Sequence, residues 1–384
     1  MMSRFKEDIV EAKERLTAWW DHEILDRPCI SYLTPRPNVK LTKIGNPLDY
    51  FDPFFLAEHW EMIDEYIKYF EETSESFFFG GEEIPNIKMN YGPGIIAAVF
   101  GIVPKFQSRT VWLSKETPVD EIFPLLEETQ LNSNNEWYAR LMKATEFAAK
   151  SAKSDYAVTV SDIGGVLDVL SSFLGPTKLI LTMRRNPGLI SECRRVILDK
   201  LNILYDDLQS TIEKYCSGCI TWMDIWCPKR WYPIQCDFSA FLSPKWFRKF
   251  ALPDIKEQSE SLDYSVYHLD GPDALKHLDD ILQIPSITAV QWVPGAGNEL
   301  KCSDVWMPVY KKIQKAGKSV IIDFFEDPNR LSHFYKNLDP KLLYTTNIFM
   351  DYIRAIYYVP EFIGGAAGKG SLRQFKKQLR KEFK

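Results

Sequence analysis

No apolar run in this 384-residue chain reaches the roughly 18 residues that cross a bilayer, so no membrane span is expected. The opening residues Met1-Met2-Ser3-Arg4-Phe5-Lys6-Glu7-Asp8 lack the apolar core of an export signal. A positive surplus is missing too: the net charge is -5, which offers nucleic acid no attraction. No Gly-x-Gly-x-x-Gly loop follows the first strand-like segment, which weakens a dinucleotide-binding sheet. Neither Ser161 nor Ser217 lies in a Gly-x-Ser-x-Gly elbow, so a serine triad is not indicated. Histidine is scarce, and His22, His59, His277 and His333 fall on helix-like stretches where structural hydrogen bonds are expected. Seven cysteines are an odd set without an export signal, which favours free thiols and a cytoplasmic location.

Strand-like segments are plentiful. They lie at 28–33, 76–79, 156–161, 219–223, around Val266, and at 288–293, 318–323 and 342–346. Helix-like stretches separate most of them. In 189–215 the apolar residues Leu189, Ile190, Cys193, Val196, Ile197, Leu201, Leu204 and Leu208 lie close to a 3.6-residue period after the start signal Asn186-Pro187. Continuous apolar strands alternating with helices predict a parallel sheet covered on both faces. Eight such units predict one α/β domain over 1–384, a closed (β/α)8 TIM barrel; a doubly wound open sheet is the alternative. Two long connections, 34–55 and 82–118, read as lids, binding loops or passive insertions. The basic tail from Arg373 to Lys384 reads as a solvated terminal helix.

Tyr264-Ser265-Val266-Tyr267-His268-Leu269-Asp270 is the most telling stretch. Residues i and i+2 of a strand share a face, so His268 and Asp270 are presented together just before the turn at Gly271-Pro272. In parallel α/β proteins the carboxyl ends of strands carry the chemistry. The same rule selects Asp162, Asp224, Gln291 with Trp292, Asp323 with Glu326, and Asn347. Trp222, Trp226, Trp231 and Tyr232 form an aromatic group around the candidate site, and Tyr91, in the long connection, with Trp226 and Trp292 are candidate pocket residues. Cys216, Cys219, Cys227 and Cys236 sit close in sequence. A four-cysteine zinc site fits poorly across a helix end and a buried strand, whereas His268 with Cys227 or Cys236 is a possible mixed site.

Taken together, the segments from about Asp26 to Gly365 resemble the uroporphyrinogen decarboxylase superfamily, which includes corrinoid-dependent methyltransferases. The matching pieces are Asp26-Arg27-Pro28, Asp224-Ile225-Trp226, Phe241-Leu242-Ser243-Pro244-Lys245-Trp246-Phe247 with Leu252-Pro253, and Tyr267-His268-Leu269-Asp270-Gly271. The decarboxylase's arginine-rich segment is replaced by Ser31-Tyr32-Leu33-Thr34-Pro35-Arg36, so a polycarboxylate tetrapyrrole would lack its counter-charges. The chain is therefore more similar to the methyltransferase-like members. In the zinc enzymes of that group a His-x-Cys pair and a later Cys hold the metal. Here His268 matches the histidine, Asp270 stands in place of the first cysteine, and Tyr344-Thr345-Thr346-Asn347 occupies the later region.

The resemblance implies methyl transfer between a small methylated substrate and a corrinoid carried by a partner protein. Its alternatives are decarboxylation of a carboxylic acid by a carboxy-lyase, and a non-catalytic small-molecule or corrinoid-binding protein. Under it, His268, Asp270 and Asp224 are catalytic: His268 as metal ligand or general acid, Asp270 as its partner, Asp224 as substrate orienter. Asp162, Trp226, Gln291, Trp292, Tyr91 and Asn347 bind substrate. Zinc, if used, falls to His268, Asp270, Glu326 and Cys227. A homodimer is left open.

Overall fold

A computed structural model of the protein describes residues 3–36, 54–107 and 110–349. Most of the 34–55 connection, the tail 373–384 and the side chain of Asn347 lie outside the described residues. The chain is a mixed α/β fold with a parallel-stranded sheet. Apart from a small hairpin of Lys105–Gln107 with Thr110–Trp112, its strands are β1 Ile30–Pro35, β2 Phe77–Gly81, β3 Asn86–Ile87, β4 Ala157–Val158, β5 Cys219–Ile220, β6 Trp226–Cys227, β7 Trp231–Gln235, β8 Tyr264–Asp270, β9 Ala289–Val293, β10 Ser319–Asp323 and β11 Leu343–Phe349. Seven of them are hydrogen-bonded in the order β2-β1-β11-β10-β9-β8-β7. Every neighbouring pair is parallel except β1 with β2. Separately, β3 pairs with β4, and Val160 bridges to Thr221, both in parallel.

Two strand expectations need correction. The segment at 76–79 forms β2, but it runs antiparallel to β1 rather than joining the parallel set. The segment at 219–223 does not continue as a sheet strand. It turns back at Asp224 and pairs antiparallel with β6. The neighbour of β8 is instead β7, which contains Pro233. Proline removes a ladder donor, which β7 tolerates because, among the described strands, it is hydrogen-bonded on one side only, to β8.

Strand alternation sorts the side chains into layers. Cys29, Ile84, Ala157, Ile220, Trp231, Val266, Ala289, Ile321 and Tyr344 all belong to one buried apolar cluster. Helix α1 (Ile9–Trp20) closes that cluster from the amino-terminal side of the strands, supplying Ile9, Ala12, Leu16, Trp19 and Trp20 from one face. Two residues further along, seven of these nine segments become polar, with Ser31, Asn86, Thr159, His268, Gln291, Asp323 and Thr346; the other two carry Trp222 and Pro233. A much larger apolar cluster packs the opposite strand faces against the helices.

Helices α2 (Val166–Leu174) and α3 (Pro187–Glu213) matter most for the site. The α3 start is the expected one: the Asn186 side chain accepts from the Leu189 amide at 3.2 Å. Gly164 and Gly165 are more than turn punctuation. A Cβ on Gly164, whose φ is +101°, would lie 2.6 Å from the Gly94 Cα, and one on Gly165 would lie 2.4 Å from the Gln235 carbonyl oxygen. The 82–118 connection is therefore sewn to the strand ends, with the Ile95 and Ile96 amides donating to the Asp162 and Ile163 carbonyls. No single helix among the described residues is long and apolar enough to cross a membrane.

Candidate functional site

His268 and Gln291 are register neighbours on β8 and β9. Gln291 Oε1 accepts from His268 Nδ1 at 2.5 Å, which leaves the Nε2 lone pair of the neutral ring for other work. The Trp222 ring meets the imidazole edge-on, with centroids 5.4 Å apart. Asp270 follows on the same face of β8. The third partner, Asp237, comes from the turn after β7. That turn is clamped by Asp168 at the start of α2, whose carboxylate accepts from the Phe238 amide at 2.7 Å and the Asp237 amide at 3.2 Å. One ligand atom each from Asp237, His268 and Asp270 lies within 4.8 Å of the others.

The electrostatics are those of crowded acids. Burial lifts the Asp162 carboxyl to about 6, and the nearby His268 charge opposes the rise. Burial lifts Asp168 to about 7, with the Asp237 charge adding to it and the Phe238 and Asp237 amides opposing. Asp237 is raised by desolvation; His268 opposes and Asp270 adds. A cation among these groups would relieve them. One imidazole nitrogen and two carboxylates also suit a borderline divalent ion such as zinc.

Beside this cluster opens a cleft of about 180 Å³, walled by Lys88, Asn90, Pro93, Ser161, Asp162 and Trp222. Asp162 joins the two, because its Oδ1 also accepts from Gln235 Nε2 at 3.0 Å. On the far wall the Lys88 ammonium sits 3.1 Å from the buried Asp224 carboxylate. Asp224 adopts φ +61°, the left-handed conformation that turns the chain back into the β5–β6 hairpin.

Glu83 lies behind this pair. It is 4% exposed, and its Oε2 has no hydrogen-bond partner among the described residues. Burial, then the Asp224 charge, lifts its carboxyl to about 7, against the pull of Ser31, Lys88 and Lys6. A raised carboxyl stabilises the fold fully below its unfolded value near 4.5 and loses that contribution as pH climbs through 7. Above pH 7 the ionised group therefore costs about 3 kcal/mol at 1.36 kcal/mol per unit. Glu83→Gln is expected to raise the melting temperature by about 5 °C at pH 9 and leave it nearly unchanged at pH 5. Melting curves at the two pH values check this, and equal shifts at both would refute it.

The structure gathers His268, Asp270, Asp162 and Gln291 at one place, with Asp224 joined to the cleft through Lys88. Other expected residues lie elsewhere. Trp226 is buried at the α1 end, where its carbonyl accepts from Trp20 Nε1 and its own Nε1 donates to the Ser217 carbonyl. Trp292 and Tyr91 are buried in the large outer cluster, and neither lines the cleft. Glu326 caps the Lys301 and Cys302 amides at 3.0 and 3.1 Å. Cys227 pairs with Cys219 across the hairpin. Neither Glu326 nor Cys227 belongs to the potential metal group, whose third member is Asp237. Nor do any cysteines form such a group among the described residues: all seven are free and buried. Trp222, from the aromatic group noted in the sequence, does line the cleft, whereas Lys88, Gln235, Asp168 and Glu83 were missed.

No protein-family model matches the chain, and no curated protein matches it in sequence. Among solved structures its fold is similar to that of a methyltransferase from Methanosarcina mazei. The TM-score is 0.57 at 13% identity, over 88% of this chain and 93% of that one. The likeness extends over nearly the whole of both chains, and at this identity it speaks for the fold alone.

Proposed function

We infer that the protein is a methyltransferase-like enzyme, passing a methyl group between a small methylated substrate and a corrinoid carried by a partner protein. The carrying observation is the convergence of His268, Asp237 and Asp270 beside an open cleft whose apolar wall, Trp222, touches the imidazole. Support for a closed eight-stranded barrel comes from the inner apolar cluster, which draws on strand segments all along the chain. A zinc ion held by His268 Nε2, Asp237 and Asp270 would supply Lewis acidity at the cleft. His268 orients its Nε2 through Gln291, Asp168 fixes the Asp237 turn, and Trp222 excludes water from the reacting group. Half-buried Asp162 holds a proton up to about pH 6 at the opposite edge.

The direct test incubates the protein with cob(I)alamin and a panel of methoxylated and methylated compounds, following methylcobalamin by absorbance. Formation with at least one donor is expected. If no donor reacts while a carboxylic acid releases carbon dioxide, the reading passes to decarboxylation, which the Asp162 proton and the Lys88 charge would equally serve. For the metal, about one equivalent of zinc is expected per chain by chelator competition. His268→Ala and Asp237→Ala should each weaken binding at least tenfold; stoichiometry and affinity unchanged in both would remove the metal from the site.

A further inference from the structure

We propose that His277, together with Lys276, is a positioning residue of the centre: it ties the turn that carries Asp237 to the segment that follows Asp270, and so fixes the separation of the two carboxylates. The inference rests on reading Asp237, His268 and Asp270 as one site. Asp237 opens a short 3-10 helix, Asp237–Phe241, and a second one, Pro272–His277, begins just after Asp270. His277 Nε2 lies 3.0 Å from the Ser239 carbonyl oxygen, which can only accept, so the ring carries a proton on Nε2. One residue earlier, Lys276 Nζ donates to the Ala240 carbonyl at 2.8 Å. Two consecutive side chains thus grip two consecutive carbonyls just past Asp237.

The imidazole is locked in place. It is fully buried and stacks on Phe247 of the helix Pro244–Phe250, with ring centroids 4.1 Å apart and planes at 14°. Stacking fixes the ring plane and with it the direction of the Nε2 proton. Burial pushes the ring's pKa below its usual value, against the pull of the Ser239 carbonyl, so the neutral donor persists. A residue that merely filled this space would be apolar, because an imidazole is costly to bury unless it makes a hydrogen bond. From the other side Asp168 accepts from the Asp237 and Phe238 amides. The turn is therefore held through its amides by α2 and through its carbonyls by the segment after Asp270. That segment is itself anchored, with the Gly271 amide donating to the Val293 carbonyl of β9 at 2.8 Å. Asp237 and Asp270, distant in sequence, become parts of one hydrogen-bonded loop.

Two readouts test this, and one of them is independent of any metal. Hydrogen exchange by mass spectrometry follows the amides of 236–242, and chelator competition follows zinc affinity. His277→Leu removes the donor while filling most of its space. Lys276→Met cuts the second tether at an exposed position, outside the core. Each is expected to speed exchange in 236–242 about tenfold, the worth of one hydrogen bond, and to weaken zinc binding about tenfold. His277→Gln sets an amide donor near the Nε2 position and should stay within about threefold of the wild type in both readouts. Leu126→Ala, a core truncation in the helix Ile122–Glu128, should lower the melting temperature at least as much as His277→Leu yet leave both readouts unchanged. That control separates positioning from a general loss of stability. If His277→Leu does not fold, the Lys276→Met values decide. Unchanged exchange in 236–242, faster exchange with zinc affinity unaltered, or a Leu126→Ala protein that loses zinc equally would each overturn the proposal. A wild type that binds no zinc removes the metal from the site, and the proposal then stands or falls on the exchange measurement alone.

Discussion

Arg27→Ala is expected to destabilise the fold by about 3–5 kcal/mol, a large part of the total stability of a typical domain. Arg27 is buried and grips fully buried Glu82 with two parallel hydrogen bonds of 2.8 and 2.6 Å. Glu82 Oε2 also accepts from the Ile30 amide at 2.9 Å, so the pair locks the start of β1 to the end of β2. Removing the guanidinium strands a carboxylate from which water is excluded. Arg15, 3.6 Å from Glu82 and already engaged with Asp26 at 2.7 Å, replaces it only in part. An uncharged pair avoids the stranded charge: Arg27→Met/Glu82→Gln keeps an acceptor for the Ile30 amide and should recover at least half of the loss. Urea unfolding followed by circular dichroism decides it. A single-variant loss below about 1 kcal/mol, or a double variant no better than the single, would contradict the argument.

This pair gives Asp26-Arg27-Pro28 a structural meaning. The motif brings Arg27 to Glu82 and Asp26 to Arg15, and the adjacent Glu82 and Glu83 face different partners. The resemblance carried by those residues therefore reports on how the strands are tied together and says nothing of the reaction.

The parts of the site legible in the sequence were those on regular strands. Tyr264–Asp270 alternates cleanly, so the shared face of His268 and Asp270 followed from the two-residue period, and Gln291 followed from the parallel neighbour. Legibility failed where the chain departs from that period. The 219–223 segment has strand composition, but Asp224 in the left-handed region reverses it. Trp222 is thereby left against His268, while Trp226 is carried to the α1 end. Reading the segment as a straight strand placed the wrong tryptophan in the pocket. Strand β7 was hidden by Pro233, which ordinarily argues against a strand, and with it went Gln235 and Asp237. Asp237 owes its position to the clamp from Asp168, a contact 69 residues apart in sequence. Glu83 and Lys88 flank the two-residue strand β3, too short to show any period.

His268→Ala should produce the largest functional loss, on the order of 10²–10⁴ in turnover, with little change in stability. The half-buried ring makes one side-chain hydrogen bond, to Gln291, and one aromatic contact, to Trp222, so deleting it removes chemistry more than packing. Asp237→Ala should follow closely if the two act on one ion or one proton. The double variant should then be scarcely worse than either single, because groups that act as a unit are not additive. Asp168→Ala separates positioning from chemistry. Asp168 touches the backbone of the Asp237 turn rather than the cleft, so its loss should lower turnover while leaving KM for the small substrate nearly unchanged. Gln291→Ala frees the imidazole to rotate and exchange tautomers; a smaller fall is expected, partly restored in Gln291→Glu, which keeps an acceptor for Nδ1. These measurements use the methyl-transfer assay with whichever donor proves active. If His268→Ala retains full turnover, or if the His268 and Asp237 losses multiply as independent sites, the shared centre at the ends of β7 and β8 is not where the reaction occurs.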